Sequence, residues 1–169
     1  MILKKALSLL ETIKENKYSG KNLIDTENGI YECNCSGIIL YILNQLGIRV
    51  AHKRAYEIFD YLKSSEHFVK IESFSKLKPG DLIIWKKNNI PKIGSSGHIC
   101  ILVNKLEGNR VRVFDCVKLK HDNDSRLENG IGLGDFELIL KDDRPIGFVW
   151  SSLKRKTKLT EVLMVRAKN

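Results

Sequence analysis

Cys35 is the residue of this chain best placed to do chemistry. It follows Asn34 and opens the run Ser36-Gly37-Ile38-Ile39-Leu40-Tyr41-Ile42-Leu43, where a polar stretch passes into an apolar helical pattern. Asparagine is a good N-cap, because its side-chain oxygen accepts from a free backbone N–H of the first turn. Cys35 then falls in that first turn, where unpaired N–H groups and the helix dipole favour an anion. The thiolate is the nucleophilic form of cysteine, and a helix N-terminus lowers its pKa. The pattern therefore predicts an activated thiol nucleophile. The rest of the chain has to supply a base, an orienting group and an oxyanion site.

Histidine is the usual base for a thiol. His52 and His67 flank a predicted helix among charged neighbours and read as solvated, and His121 sits in a polar stretch. His98 opens the apolar run Ile99-Cys100-Ile101-Leu102-Val103 straight after Ser95-Ser96-Gly97, where a loop can deliver a side chain to the mouth of a sheet. It reads equally as a general base and as a core histidine satisfied by backbone. An imidazole base needs a third group to fix its tautomer. Asp115 ends the next predicted strand. A hairpin centred near Gly108 sets His98 opposite roughly residue 118, with Asp115 a few places away. Asp115 also reads as a strand-end turn former. A competing idea gathers Cys33, Cys35, His98 and Cys100 into a zinc site; it is the weaker reading, and the expectation is no metal.

The elements that must position these residues fall in two blocks. Leu3, Ala6, Leu7, Leu10 and Ile13 form an apolar stripe that predicts a helix over residues 2–16. Residues 17–33 read as a loop with an Asn28-Gly29 turn. The nucleophile helix runs from about Cys35 to Leu46, ended by Gly47, and a third helix from about Ala55 to Ser64. Strands follow at Leu82–Trp85, His98–Val103, Arg110–Asp115, Phe136–Leu140 and Ile146–Trp150, with Thr160–Arg166 a candidate sixth. Helices first and antiparallel strands second is the α+β pattern: N-terminal helices on an antiparallel sheet of five to six strands, in one domain of 169 residues.

At this point the motifs invite comparison. Asn34-Cys35-Ser36-Gly37 with its apolar helix resembles the Asp-Cys-Ser-Gly box of the NlpC-type cysteine peptidases, which have a papain-like fold. Leu77-Lys78-Pro79-Gly80-Asp81-Leu82 resembles their Leu-x-Pro-Gly-Asp-Leu strand, and Gly97-His98-Ile99-Cys100-Ile101 their Gly-His-Val-x-Ile. Tyr18 lies where that family carries a tyrosine beside the active site. Asp124-Ser125-Arg126, the glycines from Gly130 to Gly134, and Pro145 to Ser151 are similar to a narrower bacterial subgroup. Together these motifs span most of residues 18–151. The resemblance implies a thiol hydrolase in which Cys35 attacks an amide or ester carbonyl, His98 acts as base and then acid, and Asp115 orients His98. The backbone N–H of Cys35 or Ser36, with the Tyr18 hydroxyl, would hold the oxyanion. The family mostly cuts cell-wall peptides, often beside γ-linked D-glutamate. Two departures stand out. Asn34 replaces the family aspartate, which keeps the cap and removes a negative charge near the thiol. Asp115 stands where the family commonly has His, Asn or Gln. Arg126 has two readings, a loop brace paired with Asp124 or a bidentate partner for a substrate carboxylate.

Composition bounds the rest. With 43% hydrophobic residues the chain can bury a core. Its net charge of +9 comes from 29 basic and 20 acidic residues. Residues 154–169 form a basic C-terminal segment, Lys154, Arg155, Lys156, Lys158, Arg166 and Lys168 against Glu161. A basic surface favours polyanions, but no aromatic residues interleave with these charges, so no nucleic-acid partner is expected. No run is long enough to span a membrane, and the N-terminus reads as an amphipathic helix, not a signal peptide. The expected setting is therefore cytoplasmic, with the four cysteines as free thiols. No cofactor is implied. The alternative to a hydrolase acting on a peptide or cell-wall fragment is a non-catalytic module of the same fold that grips wall or another anionic polymer.

Overall fold

The computed structural model describes residues 1–152 and 157–168. Three helices, α1 (Ile2–Leu10), α2 (Cys35–Gln45) and α3 (Ala55–Ser64), cover a sheet of eight strands, and a second sheet of three strands lies beside them. The class is α+β.

α1 buries Ile2, Ala6 and Leu9. It stops at Leu10, not at 16 as the apolar stripe predicts. Both the hydroxyl and the amide of Thr12 return to the Leu9 carbonyl (3.0 and 3.2 Å), closing the last turn tightly. The chain then enters β1 (Glu15–Tyr18), which runs parallel to β3 (Ile30–Cys33), with β2 (Leu23–Asp25) antiparallel on the other side of β3. The expected 17–33 loop is thus largely sheet. Its short polar strands carry no alternation that a sequence pattern would register.

α2 starts where the N-cap chemistry puts it: the Asn34 side chain accepts from Gly37 N–H at 2.8 Å. Ile38, Ile39, Ile42 and Leu43 are fully buried, each contributing about 1.5–3 kcal/mol of burial. Gly47, at φ +79°, turns the chain out in the left-handed conformation that glycine adopts without strain, and Ile48 N–H closes back on Leu43 O at 2.9 Å. α3 lays Ile58, Phe59 and Leu62 on the same core.

The large sheet holds β4 (Phe68–Lys70), β5 (Leu82–Lys86), β6 (Gly97–Lys105), β7 (Arg110–Val117), β8 (Gly130–Lys141), β9 (Arg144–Val149), β10 (Thr157–Leu159) and β11 (Val162–Ala167), in the order β10-β9-β8-β7-β6-β5-β11-β4. Five or six strands were expected, and β8 begins six residues before the predicted Phe136. One sheet face packs on the helices through Ile84, Ile99, Ile101 and Phe114; the other encloses a second core of Ile83, Leu102, Val113, Phe136 and Met164.

The basic C-terminal segment is not a free tail. Lys154, Arg155 and Lys156 lie outside the described residues. Beyond them β10 pairs with β9 and β11 pairs with β5 and β4. Between the two strands, Thr160 donates its hydroxyl to Lys86 O (2.6 Å) and its N–H to Ile146 O (3.0 Å), drawing opposite sides of the sheet together. Arg166 makes two bonds to the buried Asp81, at 2.7 and 2.8 Å. Asp81 also accepts from Lys78 N–H at 2.7 Å, which pins the Pro79-Gly80 turn.

Candidate active site

Cys35 is the first residue of α2, almost buried, with its thiol at the wall of a cleft of about 600 Å³. Tyr18, Trp85, His98, Phe148 and Trp150 also line it. His98 is the second residue of β6 and pairs in register with Trp85 of β5. The approach is tight. A Cβ on Gly97 would stand 2.1 Å from the Trp85 carbonyl oxygen, so only glycine lets the loop enter the sheet just before His98.

Asp115 sits on β7. Ile101 faces Phe114 across the β6–β7 ladder. Continuing that pairing sets Cys100 against Asp115 and His98 one diagonal away on the same face, within reach of its side chain. His98 Nε2–H donates to Asp115 Oδ2 at 2.7 Å. With Nε2 so engaged, Nδ1 is the ring nitrogen left for Cys35. The structure thus brings Cys35, His98 and Asp115 together.

The electrostatics follow from burial and partners. Burial alone would push the His98 imidazole down; the Cys35 charge and the Asp115 hydrogen bond outweigh it and hold the pKa up at about 9. Burial would raise the Asp115 carboxyl; the charges of His121 and Arg126 reverse that and hold it well below the usual range. Desolvation, with the nearby thiols adding to it, pushes the Tyr18 phenol up to about 12, so it stays a hydrogen-bond donor at neutral pH.

Other predicted residues are placed differently. Ser36 is buried, and its hydroxyl donates to Asn34 Oδ1 (3.0 Å) and Lys53 O (2.8 Å), so it braces the start of α2 away from the cleft. Arg126 does not line the cleft. Its side chain is fully buried, with one N–H group on Asp115 Oδ1 and another on Asp124 Oδ2 at 2.6 Å. Trp85 and Trp150 face the cleft: their rings lie 5.1 and 5.0 Å from the His98 ring.

His121, which sequence places only in a polar stretch, is the group that sequence reasoning missed. Its side chain is buried and Nε2–H donates to Asp115 Oδ2 at 2.8 Å. A signal was present. Gly132 and Gly134 alternate on β8 and leave one face without side chains. A Cβ at Gly132 would meet Arg126 Cγ at 2.5 Å, and one at Gly134 would meet His121 Cβ at 2.7 Å. Two glycines at strand spacing mark a recess that bulky groups must fill.

The four zinc candidates are not gathered. Cys33 Sγ lies 3.9 Å from Cys116 Sγ, and Cys100 donates to Ile83 O at 3.5 Å. Among the described residues, His98, Asp115 and His121 do present ligand atoms within 4.8 Å of one another. However, both imidazole nitrogens sit 2.7–2.8 Å from one carboxylate oxygen. That is hydrogen-bond spacing, too close for an ion with bonds of about 2.0–2.2 Å to each atom in tetrahedral geometry.

Neither a family model nor a curated protein matches the chain. Solved structures do. One is described as similar to a lipoprotein of the NLP/P60 family, from Staphylococcus aureus subsp. aureus Mu50, with 19% identity over 95% of this chain and 42% of that one, at a TM-score of 0.49. Another is the wild-type endolysin LysIME-EF1, with 14% identity over 98% of this chain and 63% of that one, at a TM-score of 0.52. The chain therefore spans less than two thirds of either. The likeness to the endolysin is one of fold.

Proposed function

We propose that this chain is a cysteine hydrolase of papain-like, NlpC-type fold that cleaves an amide or ester bond. The observation that carries the reading is the seating of a helix-start thiol and an imidazole on one cleft, with a buried carboxylate behind the imidazole. In the proposed mechanism the Cys35 thiolate attacks the substrate carbonyl carbon, and the carbonyl π electrons move onto oxygen. The Cys35 backbone N–H, which as the first residue of a helix has no intrahelical acceptor, and the Tyr18 hydroxyl hold that oxyanion. The His98 imidazolium gives its proton to the leaving nitrogen or oxygen as the bond to carbon breaks, leaving a Cys35 thioester. His98 then takes a proton from water, which attacks the thioester and releases the acid and the thiolate. An imidazole held up at about 9 is protonated at neutral pH, the partner state that favours a thiolate beside it.

The substrate we propose is a peptide or cell-wall fragment. The motif resemblance supports this, and the fold shared with an endolysin is compatible with it. The cleft suits such a ligand: Lys87, Lys118 and Lys158 line it, and among the described residues no Asp or Glu does, which favours stem peptides that carry carboxylates. Hydrolysis of purified muropeptides and of an acyl-thiol probe is the test. Cys35→Ala is expected to abolish both, and iodoacetamide is expected to label Cys35 faster than the buried Cys33. Turnover that survives Cys35→Ala would remove the reading.

A further inference from the structure

The proposed chemistry uses Cys35, His98 and Asp115, yet the Asp115 carboxylate is bonded to more than His98. The side chain is completely buried. Oδ2 accepts from two imidazoles, His98 at 2.7 Å and His121 at 2.8 Å, while Oδ1 accepts from Arg126. A second carboxylate stands behind these donors: Asp124 Oδ2 accepts from Arg126 at 2.6 Å and from His121 N–H at 2.9 Å. Asp124 thus holds both donors in place. The His121 ring is fixed on its faces as well, stacked on Phe136 with centroids 5.5 Å apart and against Trp150 at 4.0 Å. The loop carrying all three residues docks on β8 through paired backbone bonds between Asp122 and Asp135 (2.8 and 3.0 Å) and through the recess left by Gly132 and Gly134.

We propose that His121 is a positioning residue, which with Arg126 clamps the Asp115 carboxylate at the angle that aims the His98 ring at Cys35. This rests on the thiol-hydrolase reading. A core histidine satisfied by backbone has no need of such an arrangement, and the backbone contact available to this one is poor: Nδ1 lies 3.4 Å from Trp150 O. The specific bond of His121 is the one to Asp115. Without it, Oδ2 has only His98 as a donor, the carboxylate can rotate about Arg126, and His98 swings with it. A misplacement of about 1 Å near the reacting atoms can cost about 100-fold. The titratable and charged groups around Asp115 are His98 and Cys100 from β6, Cys116 from β7, and His121, Asp124 and Arg126 from the loop.

Two substitutions separate positioning from packing. His121→Phe keeps the ring and its stacking and loses the donor. His121→Gln keeps an N–H donor at similar reach. The measurement is the pH dependence of Cys35 alkylation by iodoacetamide, read by mass spectrometry of the Cys35 peptide, alongside turnover of p-nitrophenyl acetate. His121→Phe is expected to slow alkylation at pH 7 about tenfold, to move the profile to higher pH, and to lower kcat with KM within about twofold, while Gln restores most of each loss. A Phe variant whose profile overlays wild type, or a Gln variant that falls as far as Phe, overturns the proposal. If either variant does not fold, the ring ¹⁵N shifts of wild-type His121 decide: a protonated, hydrogen-bonded Nε2 supports the clamp, and a bare Nε2 overturns it. Wild-type Cys35 reacting no faster than Cys33 would overturn the thiol-hydrolase reading and this proposal with it. Normal wild-type reactivity with an unaffected Phe variant overturns the clamp alone.

Discussion

Replacing Cys35 by alanine tests the thiol–imidazole pair without any substrate. The His98 ring feels burial, which disfavours its charge, and the anions of Cys35 and Asp115, which favour it; Cys35 is the larger of the two favourable influences. The net result is a rise from 6.5 to about 9, worth roughly 3 kcal/mol toward the imidazolium. In Cys35→Ala the burial remains and only Asp115 opposes it. The titration midpoint of His98 is expected to fall by more than one pH unit, so that more than about 1.4 kcal/mol of that preference disappears. At pH 8 the wild-type ring would still be mostly charged and the variant ring less than half charged. A two-dimensional NMR titration of ring-labelled protein reads this for all four histidines, with His98 assigned by its loss in His98→Gln. A variant midpoint that stays near 9 would refute the reasoning, because Asp115 alone would then be holding the proton.

Three further variants test the site. Asp115→Asn should lower turnover about 1,000-fold or more, since a neutral amide neither fixes the His98 tautomer nor balances its charge. The same variant should lose less stability on acidification: Asp115 has its folded pKa depressed, so it stabilises the native state above about pH 4 and that stability is lost as pH falls through the folded value. Urea midpoints at pH 4 and pH 2 check this. Tyr18→Phe should cost on the order of 100-fold in kcat and should remove, from the 295 nm titration, the phenol that ionises at about 12. Gly134→Ala forces a Cβ to within 2.7 Å of His121 Cβ and 2.8 Å of Asp124 Oδ2; overpacking of this kind costs about 1–3 kcal/mol, a fall in Tm of very roughly 4–8 °C for a chain of this size if the cost is about 2 kcal/mol.

Much of the site is local, and local features can be read from sequence. The Asn34 cap, the cysteine in the first turn and the apolar run behind it need only a few neighbouring residues, and α2 begins at Cys35 as that pattern requires. The hairpin at Gly108 brings β6 and β7 together because one is a continuous apolar run, the other alternates clearly, and the turn between them is short. The short polar strands β1 and β2 escaped notice because they carry no apolar alternation; β1 is held by its parallel pairing to β3, a contact between segments that only the folded chain makes adjacent.

The C-terminal segment shows the same limit. A strand over Thr160–Arg166 is legible in its apolar residues and β11 lies there, but nothing in the sequence says that Val162, Leu163, Met164 and Val165 insert between β5 and β4, or that Arg166 finds a buried carboxylate 85 residues away in sequence.

What the sequence determined by itself is the nucleophile and its helix, since capping, dipole and periodicity act over one or two turns. Tertiary structure alone decided what stands around Asp115. The bonds from His121 and Arg126 exist because a polar loop docks in a recess made by two glycines of another strand. No local propensity encodes that docking: an unpaired carboxylate can be buried only after the fold has assembled every donor around it.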